Sequence, residues 1–396
     1  MWLIKYEIQA APFRGKWRKA PKGVIMQTEE FTKLLNADFY TGVPDSLLRP
    51  LCDYIYTQYG LDPKHHIVAA NEGNAVAIAA GYHLATGKIP VIYLQNSGEG
   101  NIINPLASLL SEDVYAIPAL FIIGWRGEPG VHDEPQHVHQ GKVTLTLLET
   151  MGVPYVVVDK EMTAAELQVQ MQPLWQDMQA GRQTALVIRK GALENAEKVK
   201  HANENFLTRE EIIQAIADAA GNSPIISTTG KASRELFEYR EAKGQGHAHD
   251  FLTVGSMGHS SSIALGIALQ KPGQTIWCID GDGAALMHMG AMAVIGSTHP
   301  QNFIHVIIDN NAHESVGGMP TAAKNIDFAK IAEGCGYDHI YQVQELNELK
   351  NALKELPQQQ GMCLMLVKAA IGARKDLGRP TTTPKENKAA FMEQLK

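Results

Sequence analysis

The sequence lacks what would staple it, anchor it in a membrane or bind it to nucleic acid. Four cysteines in 396 residues, Cys52, Cys278, Cys335 and Cys363, are widely spaced with no CxxC pair. That argues against a disulfide framework or a zinc knuckle and favours the cytoplasm. No apolar run reaches the ~20 residues of a membrane-spanning helix, so no membrane partner is expected. Long basic runs are missing and the formal charge is −7, so nucleic acid is not an expected partner, and an anionic ligand would need local positive charge. The N-terminus has no apolar signal core. Residues 1–25, basic and containing Pro12 and Pro21, differ from the rest of the chain and read as a leader or tag-like segment.

What is present is a 45% hydrophobic composition with 35 glycines, over a length that suits two or three domains. Short apolar runs alternate with helical periodicity throughout, the pattern of an α/β protein. Residues 26–190 read as one domain, 191–206 as a charged linker short of large apolar side chains, and 207–396 as a second domain.

The most informative stretch is Thr275–Met319. An apolar strand ends in Asp280-Gly281-Asp282-Gly283, with a helix expected from near Ala284. A second strand, Phe303–Ile308, ends in Asp309-Asn310-Asn311-Ala312-His313, with 26 residues (284–309) between Gly283 and Asn310. One strand–helix–strand unit therefore brings a carboxylate and a carboxamide to the carboxyl edge of a sheet, where α/β proteins bind ligands. Asp282, the Asn311 side chain and the His313 carbonyl suit Mg²⁺, which prefers oxygen ligands and leaves positions for phosphate and water.

Other strand ends carry polar groups too. Gly42-Val43-Pro44-Asp45-Ser46 precedes a helix that Asp45 or Ser46 can cap. Asn71-Glu72-Gly73-Asn74 opens a small-residue helix, expected over Ala75–Ala85. Asn96-Ser97-Gly98-Glu99-Gly100-Asn101 follows another strand. The segment Trp125–His139 holds Arg126, His132, His137 and His139 around Pro135, which is expected to break any helix and delay the next to Gln140–Met151. It reads as a substrate loop, with Arg126 for an oxyanion and His132 or His137 for proton transfer or carboxylate binding. Thr228-Thr229-Gly230-Lys231 could receive phosphate at a helix start without being a complete Walker motif. In the loop-like tail Gly372–Thr383, Arg374 and Arg379 are either anion ligands or surface charge.

Together, the Gly-Asp-Gly and Asn-Asn pair, GVPDS, ANEGNA, NSGEGN and GSMGHSSSIALG resemble the thiamin diphosphate-dependent 2-oxo acid decarboxylases, and the resemblance runs from Met26 to the C-terminus. It implies two doubly wound parallel-sheet domains, one binding pyrimidine and one diphosphate, without a central third domain. The implied cofactors are thiamin diphosphate and Mg²⁺, with Asp282, Asn311 and His313 at the metal. Glu72 would hydrogen-bond N1′ of the aminopyrimidine, and Asp45 would be an active-site aspartate. Asn96, Thr229, Gly230, Gly255, Ser256, Met257, Gly281 and Gly283 would lie along the cofactor, Met257 as the wedge between its rings. Asp45, Arg126 and His137 would meet the substrate, and Asp45, His132 and His137 would handle protons. The chain is most similar to the short members acting on 3-phosphonopyruvate, which implies release of CO₂ to give phosphonoacetaldehyde. Sulfopyruvate cleavage or carboligation is the alternative. The expected partners are a small anionic 2-oxo acid and further copies of the chain, in a homo-oligomer with sites at subunit interfaces.

Overall fold

A computed structural model describes residues 25–396, so the expected leader lies outside the described residues except for Ile25. Two six-stranded sheets carry the fold. The first contains β1 (Tyr40–Gly42), β2 (His66–Val68), β3 (Val91–Gln95), β4 (Ala119–Gly124), β5 (Tyr155–Val158) and β6 (Gln183–Ile188), all parallel in the order β2-β1-β3-β4-β6-β5. The second contains β7 (Ile225–Ser227), β8 (Asp250–Leu252), β9 (Ile276–Gly281), β10 (Asn302–Asp309), β11 (His339–Val343) and β12 (Gly361–Lys368), in the order β8-β7-β9-β10-β12-β11. The two orders are the same, so the chain builds one topology twice.

The strands are apolar on both faces because both faces are covered. In β4, Leu120 and Ile122 pack against Leu51, Ile55 and Leu167, while Phe121 and Ile123 pack against Ala75, Ala79 and Ile102. In β9, Trp277 and Ile279 belong to one core, and Ile276 and Cys278 to the other. Each buried Leu, Ile or Phe contributes about 1.5–3 kcal/mol, which makes these sheets rigid supports for the polar residues at their ends. Winding reverses between β1 and β3 and again between β7 and β9. Such switch points open a crevice at the carboxyl edge, and Asp45, Asn96, Thr229 and Asp282 all follow these four strands.

Several local expectations change. Pro135 starts a helix, Pro135–Thr150, instead of breaking one. At the first helical position proline has no hydrogen bond to lose and its fixed φ suits the helix. His137 and His139 therefore lie on a helix, and only His132 remains in the loop. The helix expected from Ala75 begins at Glu72, and the one expected near Ala284 begins at Asp282. The start of the expected linker folds back: Leu193–Glu194 pairs with Met26–Gln27 as a two-residue parallel ribbon. The tail ends in a further helix, Pro384–Gln394, beyond the elements expected from periodicity, although Thr383, Pro384 and Glu386 form a full capping box with proline at the first turn. No helix among the described residues is long and apolar enough to cross a membrane.

The carboxyl edges of the two sheets face one another. Asn71 Nδ2 donates to the Met287 carbonyl at 3.4 Å, Glu134 of the first half pairs with Arg379 of the tail, and the Arg49 guanidinium packs against Gly317.

Candidate functional site

Glu72 is the first residue of the helix Glu72–Thr86 and is 5% exposed. Asn71 caps that helix by accepting from the Gly73 amide at 2.8 Å, which leaves Glu72 free to turn inward. Its Oε2 accepts from Asn101 Nδ2 at 2.7 Å. Gly98 lies beneath it so closely that a methyl there would come within 2.4 Å of Oε1. Asp45 is seated in the same way: an added methyl at Gly124 would meet its Oδ2 at 2.4 Å. Each carboxyl group thus rests on a glycine supplied from two strands away in the sheet, Gly98 from the turn after β3 and Gly124 from the end of β4.

Asp45 does not cap the next helix, Arg49–Tyr59, which has Leu48 at its N-cap and no side-chain cap. Its Oδ2 instead accepts from the Leu47 and Leu48 amides at 3.0 and 3.2 Å, ordering the turn before that helix. Its Oδ1 accepts from Gln95 Nε2. Burial still raises its pKa, opposed by these hydrogen bonds and by the nearby Arg126 charge. One carboxyl group thus both orders the turn after β1 and is biased by burial toward its protonated form.

The Arg126 loop is arranged differently from the expectation. Arg126 forms a bidentate pair with Asp133, with Nε–Oδ2 at 2.7 Å and Nη2–Oδ1 at 2.5 Å, and its Nη1 donates to Ser46 at 3.1 Å. Burial raises the Asp133 pKa, but the Arg126 contacts prevail and hold it down to about 2. The guanidinium is therefore neutralised within its own loop. Asn96 is engaged too: it donates to the Arg126 carbonyl and to Thr144, and accepts from the Arg126 amide, so its amide positions the loop. His137 is 8% exposed with an unpartnered Nδ1. Burial and the Arg126 charge push its pKa down to about 4, so it is a neutral imidazole, a weak base without charge to bind a carboxylate. His132 is exposed on the loop.

In the second half, Gly281 pairs in register with Ile308, which puts Asp282 and Asn311 just beyond the carboxyl ends of two adjacent strands. Asp282 is 2% exposed, and burial pushes its pKa up to about 7 despite a hydrogen bond from the Thr321 hydroxyl. Asn311 adopts a left-handed φ of 57°, which asparagine tolerates, and its Oδ1 is buried without a partner. A buried carboxylate that resists its own charge and an unsatisfied carbonyl oxygen, at the ends of adjacent strands, fit a hard divalent cation. The His313 carbonyl accepts from the Gly318 amide at 3.1 Å and has one lone pair left. Burial lowers the His313 imidazole to about 4.

Gly255 has a positive φ of 74° and Ser256 of 44°, and the Gly255 amide donates to Thr229 Oγ1 at 3.0 Å, tying together the turns after β7 and β8. Gly230, at φ 99°, precedes the helix Lys231–Lys243. The Met257 methyl lies 3.3 Å from where a Gly283 side chain would begin, so Met257 projects over the Asp282 turn. Among the described residues, Cys278, Asp280 and His305 also form a potential metal-ligating group. That cluster is closed on itself, with His305 bridging Asp280 at 3.1 Å and Tyr337 at 3.2 Å in the core.

The supporting residues Asn101, Asp133, Gln95 and Thr321 carry no individual expectation from the sequence. Only the contacts reveal them, although Asn101 stands within the NSGEGN segment.

Two edge-facing sheets, a buried glutamate on one and an Asp/Asn pair on the other, match what the comparisons with known proteins return. Residues 30–148 match the thiamine pyrophosphate enzyme N-terminal TPP binding domain, and residues 228–367 the thiamine pyrophosphate enzyme C-terminal TPP binding domain. The chain belongs to the thiamine pyrophosphate (thiamin diphosphate) enzymes. Within that family it is 33% identical over 362 residues to a phosphonopyruvate decarboxylase of Streptomyces viridochromogenes, covering 87% of this chain and 88% of that protein. It is 32% identical over 377 residues to the phosphonopyruvate decarboxylase of Streptomyces hygroscopicus, covering 89% of each. A sulfopyruvate decarboxylase of Methanosarcina acetivorans is 27% identical over 394 residues, covering 94% of this chain and 98% of that protein.

Proposed function

We propose that this chain is a cytoplasmic, Mg²⁺- and thiamin diphosphate-dependent decarboxylase that converts 3-phosphonopyruvate to phosphonoacetaldehyde and CO₂. The observation that carries this reading is the buried Glu72, held by Asn101 and resting on Gly98, in a chain whose second sheet carries Asp282 and Asn311 at its own carboxyl edge. Thiamin diphosphate, when bound, supplies the electron sink that loss of CO₂ from a 2-oxo acid requires. Asp282 and Asn311 Oδ1 would hold the cation, and the Thr229 and Gly255 turns would lie along the cofactor. Glu72 would present its carboxyl to the aminopyrimidine, and Met257 would fix the angle between the rings.

Asp45 and His137 remain for the proton work. A carboxyl group biased toward its neutral form can hold a proton near a substrate that loses negative charge as CO₂ departs. His137, neutral and with an unpartnered Nδ1, can hydrogen-bond or relay such a proton. The named relatives support the phosphonate substrate. The Methanosarcina relative, which spans nearly the whole chain, favours sulfopyruvate as the second reading. Proteins named as sulfopyruvate decarboxylase subunits beta and alpha match 48% and 30% of this chain, which supports an assembly of several subunits. We take a homo-oligomer as its form, with sites shared between subunits.

The test is CO₂ release by the purified protein with Mg²⁺ and thiamin diphosphate, supplying phosphonopyruvate, sulfopyruvate and pyruvate in parallel. Preferential release from phosphonopyruvate is the expected result. Preference for sulfopyruvate would overturn the substrate assignment, and no release from any of the three would overturn the decarboxylase reading.

A further inference from the structure

With Arg126 neutralised by Asp133, the substrate's second anionic group needs another partner. A cavity of about 200 Å³ opens where the start of the Pro135 helix faces the second sheet and the C-terminal tail, and Thr229 and Gly230 form part of its wall. Thr253, immediately after β8, also lines it. Thr253 is 5% exposed and its hydroxyl oxygen has no hydrogen-bond partner. Thr382, on the tail side, likewise has a buried, unpartnered hydroxyl. Two hydroxyls without partners beside the cofactor-facing turns are donors waiting for an acceptor.

Two guanidinium groups reach the same cavity, and they do different work. Arg234 donates through Nε to the Gly378 carbonyl at 2.5 Å and through Nη2 to the Leu377 carbonyl, so it clamps the tail. On the cavity wall, Asn387 of the C-terminal helix donates to the Asp250 carbonyl at 2.8 Å and accepts from the Leu252 amide at 3.1 Å. The tail between Leu377 and Asn387 is therefore fixed at both ends along β8, the strand that leads to Gly255, Ser256 and Met257. Arg379 is the first residue after the clamp. Its side chain is 58% exposed and pairs with Glu134 across the cavity mouth. Exposed ion pairs are weak and screened, so a dianion can replace Glu134, whereas the Asp133 carboxylate holds Arg126 in a half-buried bidentate pair.

We propose that Arg379, with the hydroxyls of Thr253 and Thr382, receives the tetrahedral oxyanion of the substrate, the phosphonate or sulfonate, and that Glu134 occupies this place until substrate displaces it. The inference rests on the decarboxylase reading above and makes the tail, not the Arg126 loop, the determinant of substrate class. The same chemistry would serve the cofactor's diphosphate, and the experiment separates the two sources.

The variants Arg379→Gln, Arg379→Lys and Glu134→Gln are compared with the parent protein using phosphonopyruvate and pyruvate, with thiamin diphosphate affinity measured by calorimetry. For Arg379→Gln, the ratio of kcat/KM for phosphonopyruvate to that for pyruvate falls tenfold or more, chiefly through KM, and Arg379→Lys recovers part of it. Glu134→Gln lowers KM for phosphonopyruvate. An unchanged ratio, or a tenfold loss of thiamin diphosphate affinity in place of the KM effect, overturns the proposal. If the parent protein releases CO₂ from none of the substrates, the decarboxylase reading fails separately. Calorimetric binding of phosphonoacetate then still decides the site: binding weakened tenfold by Arg379→Gln supports it, and equal binding or none by the parent protein overturns it.

Discussion

Glu99→Gln is expected to make this protein more stable, and by an amount that depends on pH. Glu99 opens the short helix Glu99–Pro105, is 3% exposed, and its Oε1 has no hydrogen-bond partner. Burial pushes its pKa up to about 8, with a smaller opposing effect from the Thr144 hydroxyl. In the unfolded chain the same group titrates near the ordinary glutamate value of 4.5. The folded state therefore binds the proton more tightly, and the stability that the protonated carboxyl contributes is fully present below about 4.5. It is lost as pH rises from there through about 8. Glutamine keeps the shape and hydrogen-bonding capacity and does not titrate. Between pH 5 and pH 7 the parent protein should lose about 2.5 kcal/mol relative to the variant, somewhat less than two full pH units at about 1.4 kcal/mol each, because pH 5 lies close to the unfolded-state value. For a domain of this size that corresponds to a Tm gap widening by about 5–10 °C. Thermal unfolding followed by circular dichroism at pH 5, 6, 7 and 8 measures it. Tm curves that stay parallel across that range would refute the reasoning, because a packing effect alone carries no pH dependence.

Three further substitutions probe the site. Glu72→Gln keeps the volume and the Asn101 contact but removes the carboxyl function, so kcat should fall on the order of 10²–10⁴-fold while calorimetric thiamin diphosphate binding persists; near-parental turnover would remove Glu72 from its role. Gly98→Ala places a methyl 2.4 Å from Glu72 Oε1, and the displaced carboxyl group should cost on the order of 10²-fold in kcat with little change in Tm; unchanged kcat would show that Glu72 works from another position. Asp282→Ala should weaken thiamin diphosphate binding in Mg²⁺ titrations, and superimposable curves with and without the substitution would refute the cation site.

Strand periodicity and the polar punctuation of strand ends were legible because buried parallel strands must be apolar on both faces. The polar residues that come after such a run consequently stand out, as Asp282 does after β9 and Asn311 after β10. Local chemistry at helix starts was legible in principle as well. Thr383, Pro384 and Glu386 announce the C-terminal helix, and Pro135 is as good a first residue of a helix as it is a poor interior one. Reading proline only as a breaker places His137 in a loop, when it sits buried in a helical turn.

By itself, the sequence determined which residue types arrive at the sheet edges and in what order, since strand length, turn chemistry and the spacing from Gly283 to Asn310 are local properties of the chain. Tertiary structure decided which of those groups remain free to act. Arg126 lost its availability to Asp133, seven residues along, and Asn96 to the Arg126 backbone, 30 residues away. Glu72 gained its support from Asn101 on a neighbouring helix, and Arg379 gained its place from Arg234, some 140 residues earlier in the chain. Charge pairing and desolvation depend on distance in space, and a linear sequence does not carry that distance.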